Sequence, residues 1–278
     1  MNSLPENLAF DAAALRERVA EVLSENCDLE DIYPNEEGPS DERMSSVLLL
    51  LGEILSGEDG VPEVCIILNK RSKEVKQPGD LCCPGGAVEK IDHFFARFLS
   101  FRGSILSRWP YWSELKRGSP ENARFLSLLY AAGLREAWEE MGVNPFRLVF
   151  LGPLPTHYLA LFRRSIHPMV AWVSHQERFR LSWEVERIVK FPLRALLNPF
   201  NYAHYRMYVP DHLEWRFKEA GTVDFPCFVY RTGGRADLLW GVTFKIVTRL
   251  LEMIFGFQVP DIEKLPLVPA SLNDQYVR

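Results

Sequence analysis

Three glutamates stand within five residues in the stretch LREAWEEMGV, Leu134 to Val143, which then reaches a glycine. Glu136, Glu139 and Glu140 are spaced i, i+3 and i+4, so on a helix their carboxylates share one face. Carboxylates held this close repel one another unless a cation lies among them. The spacing therefore predicts either a solvated acidic helix face or a site for a hard divalent cation such as Mg²⁺ or Mn²⁺, which prefers oxygen ligands.

The neighbouring residues set the bounds of this helix. Pro120 follows Ser119 as a suitable first helical residue, and Gly142 is a suitable C-cap, so the sequence predicts a helix from about 120 to 141. The opposite side carries an apolar stripe that we expect to pack on a sheet: Leu134, Ala137, Trp138 and Met141.

Short apolar runs bounded by turn residues predict buried strands on both sides of this helix. The runs SSVLLLLGEIL and EVCIILNKR precede it, and RLVFLG, HPMVAWVS, VERIVKF and CFVYR follow it. An amphipathic helix, WGVTFKIVTRLLEMIFG, closes the fold, and another is expected from about 11 to 25 with Asp11 as its N-cap. Strands flanked by helices without regular alternation predict an α/β sandwich with a mixed sheet.

Composition and charge exclude several classes of protein. With 278 residues, 47% of them hydrophobic and 25% charged, the chain has the balance of a globular protein with a substantial core. A net charge of −5 argues against a general nucleic-acid coat. Five cysteines without C-x-x-C spacing favour a reducing compartment, and neither a signal peptide nor a membrane-spanning run is predicted. We therefore expect a cytoplasmic protein with no nucleic-acid or membrane partner.

The string REAWEEMGV resembles the second half of the Nudix box, G-x5-E-x7-R-E-U-x-E-E-x-G-U, in which U is aliphatic. The string GGAVEKID resembles the first half, with Gly86 as its glycine and Asp92 where the family has glutamate. The spacing departs from the family, because 42 residues separate Asp92 from Arg135 where the family has seven. We interpret the excess as a partly helical insertion at about 93–120, which is tolerable because loop-closure entropy grows slowly with length.

This resemblance implies a Nudix-type α/β/α sandwich and a metal-dependent hydrolase of nucleoside diphosphates linked to another group. It implies these ligands for Mg²⁺ or Mn²⁺: the carboxylates of Glu136, Glu139 and Glu140 and the carbonyl of Gly86. Arg135 would hold the glutamates in place, and either Glu136 or Glu139 would act as the general base. Because the family places its base variably, Glu184 and Glu186 are further candidates.

Ahead of the box, LNKRSKEVKQPGDLCCPGG is similar to the signature of the coenzyme A pyrophosphatase branch. The matching positions are Arg71, Ser72, Gly79, Pro84, Gly85 and Gly86. Cys83 replaces a phenylalanine, and the loop is about one residue short. Coenzyme A carries a 3′-phosphate, and the basic loop supplies cations for it. The candidate substrate-binding residues are Arg71, Ser72, Lys73, Lys76 and Gly85. The implied products are 3′,5′-ADP and 4′-phosphopantetheine or its acylated form.

Two other functions stay open: a Nudix hydrolase of another nucleotide, such as ADP-ribose or a dinucleotide, and a Nudix-fold binding module without catalysis. We predict an N-terminal helical extension and linker over 1–42, a Nudix domain over 43–258 and a C-terminal tail over 259–278. A homodimer is a family-based expectation. The insertion carries aromatic residues that would pack locally, line an acyl-chain pocket or form a dimer contact: Phe94, Phe95, Phe98, Trp109 and Trp112.

Overall fold

A computed structural model describes residues 11–25, 43–56, 61–101, 103–159, 164–174, 178–210 and 221–271. Its strands are β1 (Arg43–Ser56), β2 (Val61–Arg71), β3 (Leu81–Cys82), β4 (Gly85–Ala87), β5 (Leu148–Pro153), β6 (His157–Leu159), β7 (Arg164–Val173), β8 (Val185–Pro192), β9 (Tyr202–Tyr208), β10 (Thr222–Thr232), β11 (Arg235–Leu239) and β12 (Leu267–Ser271). Its helices are α1 (Ala12–Glu25), α2 (Lys90–Leu99), α3 (Trp112–Gly118), α4 (Pro120–Met141), α5 (Leu193–Leu196) and α6 (Gly241–Phe255).

The larger sheet is mixed, as predicted. Its strands follow the order β3-β2-β1-β7-β5, with β4 also paired to β1, β6 to β7 and β8 to β2. Strand β1 runs antiparallel to β2 and parallel to β7. A smaller sheet, in the order β11-β10-β9-β12, was not predicted as a separate unit. The apolar runs located its strand β10, but they did not indicate which strands pair.

Helices cover both faces of the larger sheet. Successive residues of a strand point to opposite faces, so Leu48 and Leu50 join the apolar cluster that contains α4. Leu49 and Leu51 join the opposite cluster, which contains α1 and α6. The arrangement confirms the predicted α/β/α sandwich. None of the helices in the described ranges is both long and apolar enough to cross a bilayer.

Helix α1 packs into the core of the larger sheet. Asp11 Oδ1 accepts hydrogen bonds from the backbone N–H groups of Ala13 and Ala14, which makes it the predicted N-cap. A Cβ on Gly152 of β5 would lie 2.7 Å from Leu23 Cβ, so the helix sits close against that strand. The buried residues of α1 are Leu15, Val19, Val22 and Leu23. The linker predicted after the helix lies largely outside the described residues, and the domain boundaries stay a prediction.

Helix α4 has the predicted bounds. Gly142 adopts the left-handed conformation (φ 65°) and caps its C-terminus. The predicted apolar stripe is wrong at one position, because Trp138 is 51% exposed, whereas Leu134, Ala137 and Met141 are buried. The 3.6-residue repeat sets which residues share a face, but it does not set how much of that face the tertiary structure covers.

The insertion forms α2 and α3, which confirms its partly helical character. Trp109 and Trp112 are buried, and the Trp109 indole N–H donates to the Leu151 carbonyl at 3.1 Å. Helix α2 packs on α4 through Ala96, which contacts the apolar cluster of Leu128 and Ala131. The tryptophans therefore pack into the core between α4 and the larger sheet, whereas Phe94, Phe95 and Phe98 lie on the surface.

Candidate active site

Strand β4 brings the glycine pair against the glutamate helix. No strand was predicted here, but Gly85–Ala87 pairs antiparallel with β1, and Gly86 lies opposite Ser46. A Cβ added at Gly86 would overlap the Glu136 carboxylate. Gly133, on the same helix, lies so close to β1 that an added Cβ would be 3.2 Å from Ser46 Oγ. The missing side chains let α4 approach the strand and let Glu136 lie directly on the Gly86 backbone.

Arg135 lies at the centre of a charged network. Its Nε donates to Asp92 Oδ1 at 2.8 Å and its Nη2 to Asp92 Oδ2 at 3.2 Å. Its Nη1 contacts Glu136 Oε1 at 2.9 Å and Glu139 Oε2 at 3.1 Å. Burial opposes the charged form, but the hydrogen bonds that Arg135 donates to Asp92 and Glu136, and the charges of these carboxylates, raise the pKa of Arg135 above its usual value. The guanidinium thus fixes two of the three glutamates and stays charged.

Asp92 joins the insertion to this network. Its side chain is fully buried, and its Oδ2 also accepts the backbone N–H of Glu89, the N-cap of α2, at 2.8 Å. The same carboxylate therefore caps the first helix of the insertion and binds the arginine of the glutamate helix.

The three glutamates have different surroundings. Glu139 is 48% exposed at its side chain, Glu136 is partly buried and Glu140 is buried. Burial, together with the neighbouring Glu139, raises the pKa of Glu136, although Arg135 opposes the shift. Burial first, and the charge of Glu136 second, raise the pKa of Glu140 to about 8. Two carboxylates that lose their solvation beside each other favour a bound cation.

The chemistry of these groups fits a hard divalent cation. Within the described part of the chain, no three His, Cys, Asp or Glu side chains converge as a complete metal site. Arg135 draws Glu136 and Glu139 together, and Gly86 leaves open the space that a Cβ would fill beside Glu136. The donors are carboxylate and carbonyl oxygens, which suit Mg²⁺ or Mn²⁺. The residues present therefore fit the ion that the sequence suggested, and its binding is a proposal.

The structure brings the signature loop to the same edge of the sheet. Ser72 donates its backbone N–H to the Glu184 carbonyl at 2.8 Å, and Arg71 lies close enough to Glu140 to lower its pKa. Arg71 Nε also donates to the Lys76 carbonyl at 2.7 Å, so this arginine stabilises its own loop. Lys73 is exposed on the turn.

Glu184 and Glu186, the two further candidates for the general base, have different surroundings. Glu184 lies close enough to Glu140 for its charge to contribute to the raised pKa of Glu140. Glu186 lies 3.8 Å from Lys70 Nζ, in a partly exposed ion pair. Only the first of the two contributes to the electrostatics of Glu140.

Asn69 is a site residue that the sequence reading missed. It is fully buried at the end of β2, and its side-chain amide donates to Glu140 Oε2. Its Oδ1 accepts the Cys82 thiol at 2.6 Å. The backbone N–H of Gly85 reaches the other Glu140 oxygen at 3.5 Å. The available signal was a polar side chain inside the apolar run EVCIILNKR, immediately before the basic loop.

Comparison with known proteins identifies a relative by sequence. No protein-family model matches the chain. It is 30% identical over 181 residues to a peroxisomal coenzyme A diphosphatase of Caenorhabditis elegans. The match covers 64% of this chain and 59% of the relative, so it spans less than two thirds of the relative's length. The comparison contradicts the expected cytoplasmic localisation, because this relative is named as a peroxisomal enzyme.

Solved structures also resemble the chain. A Nudix hydrolase from Nitrosomonas europaea has a TM-score of 0.40 and 12% identity, over 87% of this chain and 81% of that one. An Ap4A hydrolase of C. elegans has a TM-score of 0.34 and 14% identity, over 56% of this chain and 83% of that one. At these TM-scores the structural likeness is weak.

Proposed function

We propose that this chain is a Nudix hydrolase and that it hydrolyses the pyrophosphate of coenzyme A or acyl-coenzyme A. The products are 3′,5′-ADP and 4′-phosphopantetheine or its acylated form. The observation that carries the proposal is the contact of Arg135 with Asp92, which joins the two halves of the box across the insertion. The similarity to a coenzyme A diphosphatase supports the choice of substrate.

The proposed ligands of Mg²⁺ or Mn²⁺ are Glu136, Glu139, Glu140 and the Gly86 carbonyl. The ion would neutralise charge on the pyrophosphate and favour deprotonation of a water molecule. Arg135 keeps Glu136 and Glu139 together, and Asn69 holds the Glu140 carboxylate from the opposite side. These contacts orient the carboxylates before substrate arrives, which reduces reorganisation during the reaction.

Glu136 is the stronger of the two candidates for the general base. The pKa of Glu136 is raised, so it lies closer to a neutral working pH than the pKa of an ordinary carboxylate does. Both carboxylates accept from Arg135, but Glu139 is the more exposed, so it is better suited to bind the ion. The general base is thus proposed from the two residues that the sequence indicated, Glu136 and Glu139.

The basic loop would recognise the phosphates of the substrate. Arg71 offers a planar guanidinium, and Lys73 and Lys76 add mobile point charges on the same turn. Gly85 and Ser72 lie where the loop meets Glu140 and Glu184. These positive groups are local, in a chain whose net charge is −5.

The proposal is tested by incubating the purified protein with Mg²⁺ or Mn²⁺ and a set of substrates: coenzyme A, acyl-coenzyme A, ADP-ribose and dinucleotides. Products are identified by mass spectrometry. Preferential release of 3′,5′-ADP supports the proposed substrate. Cleavage of ADP-ribose or a dinucleotide alone would reject coenzyme A as the substrate but support the assignment as a hydrolase. Metal-dependent binding of a nucleotide without turnover would favour the binding module.

A further inference from the structure

An aromatic surface covers the outer side of α2. It consists of Ile91, Phe94, Phe95, Phe98 and Phe101, whose exposed fractions lie between 43% and 63%. The rings are contiguous: Phe94 is 5.9 Å from Phe95 and 4.9 Å from Phe98, and Phe98 is 6.4 Å from Phe101, centroid to centroid. A continuous exposed apolar surface of this kind is typical of an interaction site.

Packing within the chain does not account for this surface. Helix α2 already buries its other side, where Ala96 packs against the cluster of Leu128 and Ala131 on α4. The tryptophans of the same insertion are buried in the apolar cluster between α4 and the larger sheet, so they anchor the segment without using the phenylalanine rings. About half of the surface of these phenylalanine rings remains in water, so folding leaves a large part of their apolar area unburied.

The segment that carries these rings is basic. Residues 90–119 contain six lysines and arginines and two acidic residues, in a chain of net charge −5. One of the acids, Asp92, is buried against Arg135 and leaves no charge at the surface. Lys116 Nζ lies 3.3 Å from the Ser100 carbonyl, at the C-terminal end of α2. The basic residues are Lys90, Arg97, Arg102, Arg108, Lys116 and Arg117.

We propose that the aromatic surface of α2 docks on an anionic lipid bilayer. Aromatic side chains enter the boundary between headgroups and acyl chains, and neighbouring Lys and Arg attract the lipid phosphates. This binding lies in the plane of the interface and needs no membrane-spanning helix. It revises the expectation of no membrane partner, which rested on the lack of such a helix.

Two other occupants fit the surface less well. A second copy of the chain would bring one basic segment against another, which like-charge repulsion opposes. A single acyl chain needs a concave pocket that encloses it, whereas the rings stand on the outer, convex side of a helix. Charge complementarity therefore favours the anionic bilayer.

The test is co-sedimentation of the full chain with vesicles of phosphatidylcholine, alone or mixed with phosphatidylserine. We expect binding to the mixed vesicles that weakens as salt is added. The double variant Phe94→Ser/Phe98→Ser should bind about tenfold more weakly or worse, because two rings no longer enter the bilayer. Arg97→Glu should weaken binding on the order of tenfold on the mixed vesicles only.

The matched control is Phe146→Ser/Phe200→Ser, which removes two exposed rings elsewhere (87% and 91% exposed). It should bind like the unchanged protein. Circular dichroism checks that each variant is folded, which is expected because all four rings face solvent. The proposal is overturned if the unchanged chain does not sediment with mixed vesicles, or if the control variant loses as much binding as Phe94→Ser/Phe98→Ser. It is also overturned if the Phe94→Ser/Phe98→Ser change abolishes a dimer in analytical ultracentrifugation and leaves vesicle binding intact.

Discussion

Arg135 and Asp92 are 43 residues apart in the sequence, yet Arg135 Nε lies 2.8 Å from Asp92 Oδ1. A second bond at 3.2 Å makes the pair bidentate, and the Asp92 side chain is fully buried. Bidentate geometry fixes the direction of both side chains as well as their distance. The insertion therefore lies between Asp92 and Arg135, and the contact of these two residues holds its ends together at the site.

The first prediction concerns this pair. Asp92→Asn leaves the buried guanidinium without its main counter-charge, so we expect a loss of about 3 kcal/mol in the free energy of unfolding. Urea unfolding followed by circular dichroism measures it. Glu114→Gln, on the exposed side of α3, is the control and should change stability by less than about 0.5 kcal/mol. Equal stabilities of the two variants would show that the pair is unimportant.

Gly86→Ala tests the close approach of β4 to the glutamate helix. The added methyl group would overlap the Glu136 carboxylate, which must then move. We expect weaker Mn²⁺ binding by calorimetry and a loss of hydrolysis of about a hundredfold, as misplacement of a catalytic group produces. Gly118→Ala is the matched control, since its Cβ would meet no atom within 4 Å. Retention of full activity by Gly86→Ala would contradict the assigned geometry.

The raised pKa of Glu140 predicts how the stability of the metal-free protein depends on pH. Because the folded state binds this proton more tightly, with a pKa of about 8 against an ordinary 4.5, stability falls as the pH rises between these values. Glu140→Gln removes the charge, so at pH 8 with EDTA it should be more stable by about 2 kcal/mol or more. Near pH 4.5 the two proteins should be similar. Urea unfolding at both pH values decides, and parallel pH profiles would refute the prediction.

Asn69 is predicted to orient Glu140. Asn69→Leu keeps the volume but removes the donor to Glu140 and the acceptor for Cys82. We expect a loss of about 1–3 kcal/mol in stability, as for a buried carboxylate that loses its partner, together with weaker Mn²⁺ binding. Cys82→Ser keeps a donor to Asn69 and should behave like the unchanged protein in calorimetry. Unaltered Mn²⁺ binding in Asn69→Leu would remove Asn69 from the site.

Local patterns predicted the elements that carry the site. Pro120, as the first helical residue, and the C-cap Gly142 indicated both ends of α4, and apolar runs located β1, β2, β5, β7 and β8. These features depend on neighbours in the sequence, so a single chain reveals them. The helical spacing also placed the three glutamates on one face.

Contacts between residues that are far apart in the chain could not be predicted from the sequence. Helical spacing alone could not show that Glu140 is buried under Asn69 while Glu139 stays exposed, because the sheet decides which part of the face is covered. Short strands such as β4 were also not predicted, since they form hydrogen bonds with strands far along the chain. The smaller sheet and the exposure of Trp138 have the same origin.

The most direct test compares coenzyme A hydrolysis by Glu136→Gln and Glu186→Gln with that of the unchanged protein, in the presence of Mn²⁺. Both variants remove one carboxylate charge, but Glu186 instead pairs with Lys70 on the neighbouring strand. We expect a loss of about a hundredfold or more in kcat for Glu136→Gln, as for removal of a general base, and little change for Glu186→Gln. Unchanged release of 3′,5′-ADP by Glu136→Gln would contradict the role assigned to the glutamate helix.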